Sequence, residues 1–257
     1  MPYDLAIPSL KDRVSAEEWQ TRVDLAAAYR LVALYGMSDM IANHISARVP
    51  GEEGAFLINP YGMFYEEITA SSLVKIDLEG NILFKPDFEY GVNRAGFVIH
   101  SAIHAARHDV ACVIHTHTAA GMAVSCMKGG LLPMTQTAMR FADVAYHKYE
   151  GVAVELDERA RLVADLGQSN SMVLYNHGLL AMGPSIPEAF NNIHRMELAC
   201  LSQVMAMGSG AELLMPERSV IDKTWNNYRP QTRRPFGLLE WPGLLRKLDR
   251  IDPSYRD

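Results

Sequence analysis

An apolar run ends in two histidines at Val110-Ala111-Cys112-Val113-Ile114-His115-Thr116-His117. The run is short and rich in β-branched residues, which favours a buried strand over a helix. Side chains at positions i and i+2 of a strand project from the same face, so His115 and His117 should point to one place beside the strand end. Two converging imidazoles are half of a metal site, whereas the alternative is a pair of partly exposed histidines. A third ligand would decide between these interpretations.

A third histidine follows a second predicted strand. Met172-Val173-Leu174-Tyr175 is again short and apolar, and it ends in Asn176-His177-Gly178. His177 is therefore a candidate for the missing ligand at another strand end. A site with three protein ligands keeps an open position for substrate, as catalytic metal sites do.

A predicted helix over Asn93 to His108 carries three more histidines, His100, His104 and His108, spaced by four residues. No acidic residue accompanies them within the helix, and helical histidines more often face solvent or hydrogen-bond than bind metal. We therefore do not expect His104 or His108 to be ligands. His100 is better placed for the wall of a pocket, or as a hydrogen-bonding partner of the metal site.

The composition predicts a packed globular protein. The chain has 257 residues, of which 49% are hydrophobic and 21% charged, and we expect a single domain over 1–257 with a core at about 15–210 and a C-terminal extension at 211–257. The formal net charge of −6 argues against nucleic acid as the main partner. Met1 to Ser9 lacks a signal-peptide pattern, no apolar run is long enough to span a bilayer, and the three cysteines lie in apolar segments. We therefore expect a cytoplasmic protein without a membrane partner.

The order of predicted elements is a helix, an antiparallel meander, and then alternating helices and strands. A capping-box pattern begins the first helix at Ser15, and the meander follows over 43–84. Within it, Asn59-Pro60-Tyr61-Gly62 predicts a tight turn whose glycine lets backbone amides approach a ligand. The tail beyond Gly210 has weak periodicity, and either docking on a neighbouring subunit or wrapping of its own surface would fit it.

Four motifs occur together in the order and spacing of one known family: Asn43-His44-Ile45-Ser46, Phe56-Leu57-Ile58-Asn59-Pro60-Tyr61-Gly62, His115-Thr116-His117, and Asn176-His177-Gly178 followed by Glu188-Ala189-Phe190. Over about residues 15–210 the chain resembles the class II aldolase/adducin family. The resemblance implies an α/β fold, a three-layer α/β/α sandwich with a central, mainly antiparallel sheet. It also implies a homotetramer and a divalent metal, most simply Zn²⁺ with Mn²⁺ or Fe²⁺ as alternatives, whose ligands would be His115, His117 and His177.

The chain departs from the sugar-phosphate aldolases of this family at the substrate side of the site. The acidic residue that moves a proton in those enzymes would fall on Gly96, and a glycine cannot move a proton. Their phosphate-binding serines would fall on Arg94-Ala95 and on Tyr61. Arg94 could hold a planar carboxylate through two hydrogen bonds, although an ordinary surface arginine is the alternative. We expect Asn43, Tyr61, Gly62, Arg94 and His100 to lie near the substrate.

Three hypotheses follow. The first is a metal-dependent carbon–carbon lyase that performs aldol cleavage or decarboxylation on a small hydroxy- or oxo-carboxylate or a sugar-derived molecule. The second is an iron-dependent oxygenase on the same three histidines, because imidazole suits both zinc and iron. The third is a non-catalytic binding module like the adducin head. Candidates for proton transfer are Glu66 or Glu67, after the turn, and Tyr146 or His147, and each of these also fits a structural role.

Overall fold

A single eight-stranded sheet forms the centre of the molecule. The computed structural model describes residues 7–151 and 157–257, so Met1 to Ala6, part of the N-terminal stretch considered above, lies outside the described residues. The strands, in chain order, are β1 His44–Arg48, β2 Phe56–Ile58, β3 Val74–Ile76, β4 Ile82–Phe84, β5 Cys112–Thr116, β6 Ala145–His147, β7 Ser171–Leu174 and β8 Gly178–Gly183. Their order across the sheet is β4-β3-β2-β1-β5-β8-β7-β6, and all neighbours are antiparallel except the pair β6 and β7.

Helices cover both faces of the sheet. They are α1 Ala16–Leu34, α2 Arg94–Ala106, α3 Ala119–Ser125, α4 Glu158–Leu166, α5 Ile186–Gly208, α6 Arg218–Asn227 and α7 Trp241–Ile251. The larger apolar core joins α1, α3, α5 and α7 to one face, whereas a second core joins α2 and α4 to the other. This arrangement confirms the predicted α/β/α sandwich with a mainly antiparallel sheet.

Strand β5 lies at the middle of the sheet, and all of its residues are buried. It pairs with β1, where His44 lies opposite His115, and with β8, where Leu180 lies opposite His115. Because β8 runs antiparallel to β5, the start of β8 meets the end of β5. This pairing places the turn between β7 and β8, which contains His177, next to His115 and His117 at the end of β5.

The structure differs from the sequence predictions mainly after residue 177. Strand β8 was not predicted, because its apolar run follows the predicted ligand turn without a separate strand signal.

The weakly periodic tail contains two helices, and α7 packs against α1 of the same chain, where the Trp241 Nε1–H donates to Asp24 Oδ1 at 2.9 Å. The apolar spacing of Trp241, Leu244, Leu248 and Ile251 would have indicated α7. Leu131 to Met134, predicted as strand and loop, forms no strand.

No helix of the described part is both long enough and apolar enough to cross a lipid bilayer. The longest, α5, carries charged and amide side chains that include Glu197 and Gln203 among its buried residues.

A buried ion network joins α1 to the meander. Arg22 is fully buried, its Nε donates to Glu18 Oε1 at 2.8 Å, and its Nη1 donates to the Leu73 carbonyl at 2.9 Å. The other oxygen of Glu18 accepts from Lys75 Nζ at 2.7 Å. Burial lowers the pKa of Arg22, although the nearby Glu18 carboxylate opposes that effect. The Glu18 carboxylate therefore balances the charges of two cations, Arg22 on α1 and Lys75 on β3.

We expect Glu18→Leu to lower the free energy of unfolding by about 3 kcal/mol, because it leaves the charge of Arg22 buried without a carboxylate. Glu17→Leu, one residue earlier and exposed, should change it by less than about 0.5 kcal/mol. Urea unfolding followed by circular dichroism measures both. Equal stabilities of the two variants would contradict a stabilising role for the network.

Candidate metal centre

Three imidazoles converge beside the end of β5. The Nε2 atom of His115 lies 2.7 Å from Nε2 of His117 and 3.3 Å from Nε2 of His177, and the last two are 3.0 Å apart. A tetrahedral ion at the usual zinc–nitrogen distance separates its nitrogen ligands by about 3.3 Å. The three side chains therefore fit a metal ion after shifts of a few tenths of an ångström.

The other nitrogens of two of these rings hydrogen-bond to the protein. The Nδ1–H of His115 donates to the Leu179 carbonyl at 2.8 Å, and that of His117 donates to Asp39 Oδ2 at 3.1 Å. A proton on Nδ1 leaves the lone pair on Nε2, so both rings point their metal-binding atoms at one place. Asp39 was not singled out in the sequence, because its loop position shows no spacing relation to the histidines.

Burial keeps two of the three imidazoles, those of His115 and His177, uncharged. Burial holds the pKa of His115 well below its usual value, and the neighbouring His44 adds to the effect. Burial, followed by the charge of His117, lowers the pKa of His177 to about 4. At neutral pH these rings are unprotonated, which is the form that binds metal.

A carboxylate on α5 hydrogen-bonds to the residues on both sides of His117, just beyond the end of β5. Glu197 accepts hydrogen bonds from the hydroxyls of Thr116 and Thr118, one to each carboxylate oxygen. Only 7% of the Glu197 surface is exposed, and burial raises its pKa. The two threonines flank His117, so Glu197 fixes the backbone on both sides of this histidine. Sequence reasoning missed Glu197, because a single acid on an amphipathic helix gives no sign of its partner.

A chain of buried polar groups runs from the three histidines into the protein. The His44 ring stacks on that of His115 with centroids 5.1 Å apart, and its Nδ1 lies 2.8 Å from Nε2 of His100. Ser46 Oγ then joins Nδ1 of His100, at 2.5 Å, to Nε2 of His104, at 2.8 Å. Burial lowers the pKa of His104 to about 3. His100 and His104 therefore lie behind the three histidines as hydrogen-bonding partners of His44 and Ser46.

His44 also occupies the space beside Gly96. A Cβ atom built on Gly96 would lie 2.3 Å from Cδ2 of the His44 ring, which is far closer than real contacts allow. The position where the aldolase acid was expected therefore has no room for a side chain while His44 is in place. An imidazole stands where the resemblance predicted a carboxylate.

The residues expected near the substrate differ in their surroundings. Asn43, next to His44, is fully buried, and among the described residues neither atom of its amide has a hydrogen-bond partner. Tyr61 is 45% exposed, and Arg94 is exposed at the first position of α2, two residues before Gly96. Gly62 has a φ of 127°, and a Cβ there would lie 2.6 Å from the Tyr90 ring. Tyr90 thus covers the side of Gly62 where a side chain would stand.

The candidates for proton transfer have other partners or lie in solvent. Glu66 is exposed, and Glu67 accepts from the Phe64 backbone N–H at 2.7 Å. The Tyr146 hydroxyl accepts from the Leu131 N–H at 3.1 Å.

His147 lies between two carboxylates of α4. Its Nδ1 lies 2.7 Å from Asp165 Oδ2, and its Nε2 lies 3.4 Å from Glu158 Oε1. His147 and His177 line a common cavity of about 10 Å³, which is about enough for one water molecule. Of these candidates, His147 is the one that shares a cavity with a residue of the three-histidine cluster.

Comparison with known proteins agrees with this architecture. A Caulobacter vibrioides protein, named provisionally as an aldolase class 2 protein, is 53% identical over 99% of both chains. The structure of L-fuculose 1-phosphate aldolase from Glaciozyma antarctica superposes with a TM-score of 0.83 at 25% identity, over 100% of this chain and 97% of that one. Mouse alpha-adducin is 42% identical over 90% of this chain and 33% of its own length. The model of the class II aldolase and adducin N-terminal domain matches residues 23–204, and the chain belongs to this family.

Proposed function

We propose that this protein is a class II aldolase-type lyase that holds a divalent metal, most simply Zn²⁺, at His115, His117 and His177. The observation that carries the proposal is the convergence of three Nε2 atoms while two of the Nδ1–H groups donate elsewhere. Three buried or half-buried imidazoles whose Nε2 atoms converge are typical ligands of a divalent cation. Mn²⁺ or Fe²⁺ would suit the same nitrogens.

The proposed substrate is a small hydroxy- or oxo-carboxylate or a sugar-derived molecule. When bound, the ion supplies Lewis-acid chemistry that polarises a carbonyl oxygen. The buried amide of Asn43 has unused hydrogen-bonding capacity next to His44, and the Arg94 guanidinium at the start of α2 suits a carboxylate. These groups bind and orient the substrate beside the three histidines.

Proton transfer distinguishes the two reactions that this site would support. Aldol cleavage removes a proton from a substrate hydroxyl, whereas decarboxylation begins with loss of CO₂ and needs no base for that step. Burial and the neighbouring His100 hold the pKa of His44 well below its usual value, so its ring is neutral at physiological pH. With Gly96 in the place of the expected acid, decarboxylation fits the site better than cleavage of a sugar phosphate.

A homo-oligomer, which we propose to be a tetramer, is supported by an exposed apolar stripe. Leu198, Leu201 and Met205 follow one another along α5 at helical spacing, and Met122 of the neighbouring α3 adds to them. Such a surface is typical of contact between subunits. A second copy of the chain is the simplest partner for it.

The second candidate function is a non-catalytic binding module. Its specific support is the 42% identity to alpha-adducin together with the absence of a carboxylate at Gly96. The retained three-histidine geometry favours the metalloenzyme. Metal content separates the two candidates directly.

We expect about one divalent ion per chain in the purified protein or after reconstitution, and its loss in His177→Ala, because two imidazoles bind far more weakly than three. His108→Ala changes an exposed histidine in the turn that follows α2 and should leave the metal content unchanged. Elemental analysis of the three proteins measures this. A folded protein that takes up no metal would support the binding module, whereas iron would direct the next assay to oxygen uptake.

We expect Glu197→Ala to weaken metal affinity by about 10- to 100-fold, because it frees the two threonine hydroxyls that fix the backbone around His117. Ser202→Ala on the same helix is the control and should retain wild-type affinity, because the Ser202 hydroxyl donates to the Leu198 carbonyl of its own helix. Chelator competition measures affinity, and circular dichroism of the metal-free proteins monitors folding. Unchanged affinity in a folded Glu197→Ala variant would show that the carboxylate only packs the helix.

We expect Gly96→Glu to lower the free energy of unfolding by about 1–3 kcal/mol, because the new side chain meets the His44 ring. Adding His44→Ala should recover most of the loss by making room. Urea unfolding of the single and double variants measures the coupling between the two positions. Additive effects of the two substitutions would be inconsistent with a shared space.

A further inference from the structure

A second cavity lies at the end of the sheet opposite the three histidines. It has a volume of about 420 Å³, and Asp109, Ser171 and Pro184 line it at the far ends of β5, β7 and β8. The same three strands reach the three-histidine cluster at their other ends. Ligand sites for small molecules have volumes of about 300–1,000 Å³. The cavity therefore has the size of a ligand site and is separate from the candidate metal centre.

The outer wall of this cavity comes from α6 and the segment that follows it. The Arg140 guanidinium lies against two rings of that segment, 4.7 Å from the centroid of Tyr228 and 4.9 Å from that of Phe236. Arg229 lies 4.4 Å from the Trp225 ring in the same wall. The centroids of the Tyr228 and Phe236 rings are 5.3 Å apart, so both rings lie on the same side of the Arg140 guanidinium. Of its donors, Nη2 bonds to Asn191 Oδ1 at 3.1 Å.

The carboxylates that line the cavity are already engaged. Asp109 receives two hydrogen bonds of 2.8 Å from Arg107, and Asp143 lies 3.5 Å from the Arg229 guanidinium. Glu188 accepts from the Ser185 hydroxyl at 2.6 Å. None of these acids forms an ion pair with Arg140, and Glu240, whose charge also acts on Arg140, is paired with Arg234 at 2.7 Å.

Arg140 is a half-buried cation. Within the part of the chain that the structure describes, it forms no ion pair with a carboxylate. Burial, followed by the charge of the nearby Arg195, lowers the pKa of Arg140 to about 10. The Nε of Arg195 is itself buried without a hydrogen-bond partner among the described residues. Two guanidinium groups in one partly buried region favour an anion, since burying an unpaired charge is costly.

We propose that this cavity binds a small organic anion with a flat apolar body, of the class of aromatic carboxylates. The carboxylate would accept hydrogen bonds from the edge of Arg140, which matches its planar, two-oxygen geometry. The aromatic side chains of the wall, Trp225, Tyr228 and Phe236, suit a flat body. If these contacts served only to hold the C-terminal segment on the core, an apolar side chain at position 140 would do so without a half-buried charge.

The test is a calorimetric titration with 2-naphthoate as the probe and with 2-naphthamide as its neutral counterpart. We expect one naphthoate per chain, and binding of the amide weaker by at least about tenfold. Arg140→Gln should weaken naphthoate binding by at least about tenfold, whereas Arg161→Gln, which changes an exposed arginine on α4, should not alter it. Metal-free protein and His177→Ala should bind naphthoate as the wild type does, because the cavity is separate from the three histidines.

A photoreactive azido-naphthoate on the unaltered protein keeps the test valid if Arg140→Gln does not fold. The expected label falls on peptides from 225 to 236. Equal affinity for acid and amide would overturn the proposal. So would a label on the peptide that contains His115 and His117, or naphthoate binding that disappears in His177→Ala. Loss of naphthoate binding as the protein concentration rises would show that a second copy of the chain occupies the cavity. That result would assign the cavity to a subunit contact and would also overturn the proposal.

Discussion

The hydrogen bond from His115 Nδ1–H to the Leu179 carbonyl is the interaction on which the site depends. It joins the central strand to β8, and it also determines which nitrogen of His115 carries the proton. The same strand pairing carries His177 to the end of β5. The antiparallel pairing of β5 with β8 therefore places His177 beside His115 and also orients the His115 ring toward it. Without β8 beside β5, His115 and His177 would lie on unrelated parts of the sheet.

Around this contact the protein buries several polar side chains. Glu197 lies behind the strand end, and His44, His100, Ser46 and His104 form a hydrogen-bonded chain next to it. Buried polar groups cost free energy unless they are hydrogen-bonded, so each member of such a network restrains its neighbours. The rigidity suits a site that must hold three ligand atoms at fixed separations. Two groups here are exceptions among the described residues, Nδ1 of His104 and the amide of Asn43, and the unused hydrogen-bonding capacity of Asn43 is what a bound substrate would satisfy.

The metal centre and the proposed anion cavity use the same three strands in different ways. At the metal end, residues of the strands and their turn provide the functional atoms directly. At the other end, the strands form only one wall, and α6 with the segment after it provides the aromatic and cationic groups. The C-terminal extension therefore adds a feature that the family-matched region, residues 23–204, does not contain by itself.

The sequence by itself determined the local features of this protein. The period-two spacing of His115 and His117, the strand before His177, and the capping signal at Ser15 depend only on neighbouring residues, and each appears in the structure as predicted. The family motifs added the layer architecture. Only the tertiary structure decided which distant groups meet: Asp39 with His117, Glu197 with two threonines, His44 with the space beside Gly96, and the tail with Arg140. Such contacts depend on strand register and helix packing, which no local pattern of residues encodes, because the partners lie far apart in the chain.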